Sequence, residues 1–112
     1  MSPITTHVLD TAQGRPAADV EVTLEQGSAT GEPWTRIGGG RTGADGRLAD
    51  LGSVATPGRY RLRFDSGAYF AAAGTPGFFP EVTIQFTVER PDDHHHVPLL
   101  LSPFGYSTYR GS

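Results

Sequence analysis

Cysteine is absent from the 112 residues, and so is lysine. Without thiols the chain can form no disulfide framework, no thiolate nucleophile and no Cys-ligated zinc site. All nine basic residues are Arg, scattered along the chain against 12 acidic residues, for a formal net charge of −3. That balance carries no electrostatic footprint for nucleic acid. Fifteen Gly and nine Pro interrupt the chain too often for long helices, so coiled coils, helix bundles and membrane spans are not expected. The stretch MSPITTHVLDTAQG has neither a basic n-region nor an apolar h-region. No secretory signal is expected from it, and the cytoplasm is the default compartment.

What is present is core material for one small fold. Hydrophobic residues make up 37% of the chain, with six Phe, four Tyr and one Trp, a profile far from that of a disordered segment. The length suits a single domain over residues 1–112. Apolar alternation recurs between turn signals. Ile4 to Leu9 reads as a strand, closed by a turn over Asp10 to Arg15. Val20, Val22 and Leu24 alternate with Glu21, Thr23 and Glu25; Gly27 to Pro33 reads as a loop; Trp34 to Thr42 is extended and, being Gly-rich, bulged. Tyr60, Leu62 and Phe64 oppose Arg59, Arg61 and Arg63, which gives one apolar and one cationic face. Asp65-Ser66 offers an N-cap for a short helix over Gly67 to Ala73, stopped by Gly74 and Pro76. Val82, Ile84, Phe86 and Val88 form the clearest strand, followed by strands at His94 to Ser102 and Tyr106 to Arg110. Turn signals about every 8–12 residues point to an all-β antiparallel sandwich of about eight strands with one short helix.

Strand parity then locates the polar chemistry. Ile4 and Val8 inward put Thr5, His7 and Leu9 outward; Val97, Leu99 and Leu101 inward put His94 and His96 outward and His95 inward. Histidines thus face away from the core among Leu9, Pro98 and Leu100, on a surface suited to cover by another subunit. Each feature also has a plainer reading. A lone His is usually structural or exposed, and an Arg row is usually a solvated strand face. Adjacent strand residues alternate, so at most His94 and His96 of the triplet can share one metal ion, and no metal is expected. Ser112 has no Gly-x-Ser-x-Gly context. Gly38-Gly39-Gly40 does not follow a strand and open a helix, so it reads as a bulged strand and not as a phosphate cradle.

Three segments carry a family resemblance: ITTHVLDTAQGRPA at the start, GRTGADGRL in the middle and HHHVPLLLSPFGYSTYRGS at the end. They resemble the 5-hydroxyisourate hydrolases, transthyretin-like enzymes of purine degradation, over Ile4 to Ser112. DSGAYFAAAG resembles the single helix of that fold. The ending Tyr109-Arg110-Gly111-Ser112 is specific to the enzymes, and the Lys and Glu that the hormone-carrier branch has at positions 7 and 47 are here His7 and Arg47. The resemblance implies a homotetramer with active sites at the dimer–dimer interface and no cofactor, nucleic acid or membrane. It assigns catalysis to His7, Arg47 and His96, and substrate binding to His7, Arg47, Tyr109, Arg110 and Ser112. One departure stands out: His95 occupies the place of the family's frequent aromatic between the two histidines.

The implied reaction is hydrolytic opening of an amide-type ring bond of 5-hydroxyisourate to a hydroxy-carboxy-ureidoimidazoline, with water attacking a carbonyl directly. His7 and His96 activate water and shuttle its proton, His96 being slightly favoured as base. Arg47 offers a planar donor fork to carbonyl and anionic charge, while Tyr109 and Ser112 position the heterocycle. Two rival readings are a carrier that binds an aromatic molecule without turnover, and a structural sandwich whose histidines hold a metal.

Overall fold

Residues with branched or aromatic side chains at every second position favour pleated strands whose apolar faces must meet. The computed structural model describes residues 2–28 and 30–112. Its elements are β1 (Ser2–Asp10), β2 (Arg15–Pro16), β3 (Glu21–Ser28), β4 (Gly31–Arg41), β5 (Arg47–Leu48), β6 (Ser53–Val54), β7 (Gly58–Phe64), α1 (Ser66–Ala72), β8 (Val82–Val88), β9 (His95–His96), β10 (Leu99–Ser102) and β11 (Gly105–Thr108). One sheet has the order β4-β3-β7-β8, antiparallel throughout. The other has the order β11-β10-β1-β2, with the short β5, β6 and β9 also paired to β1.

The apolar faces pack as the alternation predicts. Val22, Leu24, Tyr60, Leu62, Phe64 and Val82 from the first sheet meet Ile4, Val8, Leu99 and Leu101 from the second, all buried. The cationic face of β7 is not simply solvated. Arg61 Nε donates to Glu25 Oε1 at 2.6 Å, and its guanidinium carbon lies 4.3 Å from the Trp34 ring centroid. Arg63 pairs with Glu81 at 2.6 Å. The ion pair holds the Glu81 carboxyl below its ordinary value.

Several expectations are refined. The loop expected over Gly27 to Pro33 is largely strand, because β3 continues to Ser28 and β4 begins at Gly31; Ala29 lies outside the described residues. The bulge expected near the Gly run is present as a register shift between Leu24 and Glu25. The strand expected over His94 to Ser102 divides into β9 and β10 around Val97-Pro98, where proline has no N–H for the ladder. Burial parity nonetheless runs through the break: His95, Val97, Leu99 and Leu101 are all buried. The last strand ends at Thr108, and Gly111 forms a separate bridge to His96. The sandwich is also not wholly antiparallel, since β1 pairs in parallel with β9 and β10. The chain between them crosses to the other sheet, as a parallel pair requires.

Two polar inward positions of β1 are satisfied locally. Thr6 Oγ1 donates to the Val97 carbonyl at 2.6 Å. Asp10 accepts from the Ala12 and Gln13 amides and, at 2.7 Å, from the Tyr69 hydroxyl on α1. Burial first, then this bond, pushes the Tyr69 hydroxyl up to about 12. The helix starts where the sequence indicates, with the Asp65 carboxylate accepting from Ala68 N at 3.1 Å. No helix among the described residues is long and apolar enough to cross a membrane.

Candidate active site

The outward face of β1 carries Thr5 and His7, and its two flanking strands deliver the remaining groups. In register, Thr5 stands beside His96 on the parallel side, and His7 stands beside Arg47 on the antiparallel side. Both neighbours are short strands set by local devices. Gly46 ends the turn before β5 with φ +76, and a Cβ there would lie 2.3 Å from the Val8 carbonyl oxygen. Arg47 N donates to the Asp45 carboxylate at 2.9 Å, which fixes the start of β5. On the other flank, Gly111 N donates to the His96 carbonyl at 2.8 Å. A Cβ on Gly111 would fall 2.5 Å from His96 Cδ2, so only glycine lets the chain end lie against this ring.

The hydrogen bonds constrain protons. His7 Nε2 lies 2.9 Å from the Asp45 carbonyl oxygen. A carbonyl only accepts, so Nε2 carries the hydrogen and Nδ1 of neutral His7 is the acceptor. Thr5 Oγ1 lies 2.8 Å from both His94 Nε2 and His96 Nδ1, and the two rings stack with centroids 6.2 Å apart. His96 is held below its ordinary value, first by burial and then by the positive fields of His94, Arg47 and His7; the Thr5 backbone opposes this. Among the described residues, no carboxylate lies within ion-pair distance of the Arg47 guanidinium. The site therefore holds a neutral imidazole beside an uncommitted cation, a pairing suited to accepting a proton from water while stabilising an oxyanion.

Thr5, Thr6, Arg47, Leu48, Ala49, His94, His96 and Ser112 line a cleft of about 280 Å³. His7 adjoins it through Arg47. The structure thus brings His7, Arg47, His96 and Ser112 together. It places Tyr109 and Arg110 in an adjoining apolar groove of about 230 Å³, with Ile84, Phe86, His95 and Val97; His96 lines both. A larger cleft, about 640 Å³ beside α1, lies elsewhere, and its Arg41 is already paired with Asp19 and Glu21. No three His, Asp or Glu side chains among the described residues are grouped to hold a metal ion; His94 and His96 each direct a nitrogen at Thr5 instead. Sequence reasoning passed over Thr5 and the Asp45 carbonyl. Parity had put Thr5 on the face of His7, but its double contact needs the Thr5–His96 register.

Two sheets with a single helix and a parallel junction of first and late strands define a transthyretin-type sandwich. The chain is similar to the solved structure of sea bream transthyretin in complex with thyroxine, with a TM-score of 0.88 and 34% identity over 97% of this chain and 94% of that one. It is similar to the Klebsiella pneumoniae 5-hydroxyisourate hydrolase, with a TM-score of 0.85 and 38% identity over 100% and 94%. Residues 4–111 match the HIUase/Transthyretin family model, and the chain belongs to that family. The 5-hydroxyisourate hydrolase of Caulobacter vibrioides is 46% identical over all of both chains. That of Mus musculus is 43% identical over 99% of this chain and 96% of its own.

Proposed function

We propose that this chain is a 5-hydroxyisourate hydrolase of purine degradation, converting its substrate to 2-oxo-4-hydroxy-4-carboxy-5-ureidoimidazoline. The observation that carries the reading is the cleft that His96, Arg47 and the Ser112 terminus share beside His7. Relatives bearing that activity's name across the whole chain support it. His96, kept neutral by its surroundings, takes a proton from water as the oxygen attacks the ring carbonyl. Arg47 donates to the oxyanion that develops. The C–N bond then breaks and the departing nitrogen receives that proton back from His96. General acid–base help contributes about 10²–10⁴-fold and one oxyanion donor about 10²–10³-fold. His7 orients water or substrate through Nδ1, and Ser112 holds the heterocycle. Tyr109 and Arg110 reach the substrate from the neighbouring groove. The working form is a cytoplasmic homotetramer of single-domain chains, in which a second copy closes the outward cleft at the dimer–dimer interface.

The test is to generate 5-hydroxyisourate from urate in situ and follow its decay in the ultraviolet. Acceleration by the wild type, lost in His96→Ala and Arg47→Ala with assembly intact, supports the assignment. A wild type that leaves the spontaneous rate unchanged refutes it. The likeness to thyroxine-bound transthyretin favours a second reading as a carrier. That reading requires calorimetric binding of iodinated phenols without turnover.

A further inference from the structure

The Thr5 hydroxyl stands between two imidazoles, 2.8 Å from His96 Nδ1 and 2.8 Å from His94 Nε2. A hydroxyl carries one hydrogen, so a continuous chain of bonds across it runs in one direction or the other. In the first direction His96 Nδ1–H donates to Oγ1, and the Thr5 hydroxyl donates to His94 Nε2. His96 Nε2 is then bare and can accept a proton. In the second direction His94 Nε2–H donates to Oγ1, Thr5 donates to His96 Nδ1, and His96 Nε2 carries a hydrogen. Only the first leaves a base on His96.

The two rings sit in different surroundings. His96 is half-buried and feels the cationic fields of Arg47 and His7, whereas His94 is exposed. A proton that remains on both nitrogens of His96 is opposed by desolvation and by Arg47. The same charge on His94 is solvated. The rings are inclined by only 30°, and the register sets Thr5 directly beside His96, so one hydroxyl serves both.

We propose that Thr5 and His94 are positioning residues for His96, and that the three groups form a proton relay from His96 Nδ1 through Thr5 Oγ1 to His94 Nε2. This relay rests on the reading of His96 as the base of 5-hydroxyisourate hydrolysis. As the water oxygen bonds to the ring carbonyl carbon, Nε2 takes the water proton. Nδ1 passes its own proton to Oγ1, and the Thr5 hydrogen moves to His94 Nε2. When the C–N bond breaks, the transfers reverse: His94 Nε2 returns a proton to Oγ1, Thr5 returns one to Nδ1, and the Nε2 proton goes to the departing nitrogen. One water hydrogen ends on that nitrogen and the other on the new carboxyl group, and the relay is restored.

Three variants test it: Thr5→Val, which keeps the shape and removes the hydroxyl, Thr5→Ser, which keeps the hydroxyl, and His94→Gln, which does not titrate. Nitrogen-15 NMR of histidine-labelled protein, without substrate, reads the His96 tautomer. The wild type and Thr5→Ser are expected in the Nδ1–H form, and Thr5→Val is expected to lose that preference. In the urate-coupled assay, Thr5→Val should lower kcat by about 10–10²-fold with little change in KM. Thr5→Ser should recover most of that loss. His94→Gln should retain the His96 tautomer yet lower kcat and alter its pH profile. An unchanged tautomer in Thr5→Val, or a wild-type kcat and pH profile in His94→Gln, overturns the relay. A wild type inert towards 5-hydroxyisourate overturns the hydrolase reading instead, and the tautomer measurement still decides whether Thr5 orders the ring.

Discussion

Replacing His95 with Phe should raise stability. His95 is 4% exposed, and its Nδ1 is buried with no hydrogen-bond partner among the described residues. An orphaned buried polar atom costs about 1–3 kcal/mol. Phenylalanine removes that cost and adds apolar area beside Val97, Ile84 and Phe86. The larger ring opposes the gain through overpacking of about 1–3 kcal/mol, though the adjoining groove leaves room for it. The expected net gain is about 1 kcal/mol, or about 4 °C in Tm for a chain of this size. The change also alters acid sensitivity. Burial first, then Arg110 and His94, hold His95 below its ordinary 6.5, with Asp93 opposing. The unfolded chain therefore binds more protons between 6.5 and the lowered folded value, and the wild type loses stability as pH falls through that window. The Phe variant lacks this loss and should show a shallower decline, while the lowered His96 and Glu81 keep part of it. Urea titrations near neutrality and in mild acid, at one protein concentration because assembly shifts midpoints, measure both effects. A Phe variant about 1 kcal/mol or more below the wild type near neutrality, or one with the wild-type acid dependence, would refute the reasoning.

Gly111→Ala should displace the His96 ring, because the new Cβ would lie 2.5 Å from Cδ2; kcat in the urate-coupled assay falls by about 10–10²-fold while Tm changes little. Tyr69→Phe removes the 2.7 Å bond to buried Asp10 and should cost about 1–3 kcal/mol in urea titration, with kcat of the folded protein preserved. The pH profile of kcat/KM should show an acidic limb below 6.5, since His96 must be neutral to act and its value is lowered. A limb above 6.5 would remove His96 as the base.

The alternation in Ile4 to Leu9 and His95 to Leu101 was enough to assign inward and outward faces, and it held even where Pro98 interrupts the strand. It placed His7 and His96 on an outer face before any contact was known. The Asp65 cap was equally legible, because a cap depends on neighbouring residues alone. The loop expected over Gly27 to Pro33 was misjudged because β3 and β4 run on through Gly27 and Pro33, with pairing resuming beyond a register shift that propensity does not register. Likewise, nothing in the chain order says that β1 takes β9 as a parallel neighbour. Faces follow from a period of two along one strand. The meeting of His96 with Thr5, of His7 with Arg47, and of Gly111 with the His96 ring depends on register between segments about 15 to 90 residues apart, which packing of the whole sandwich selects.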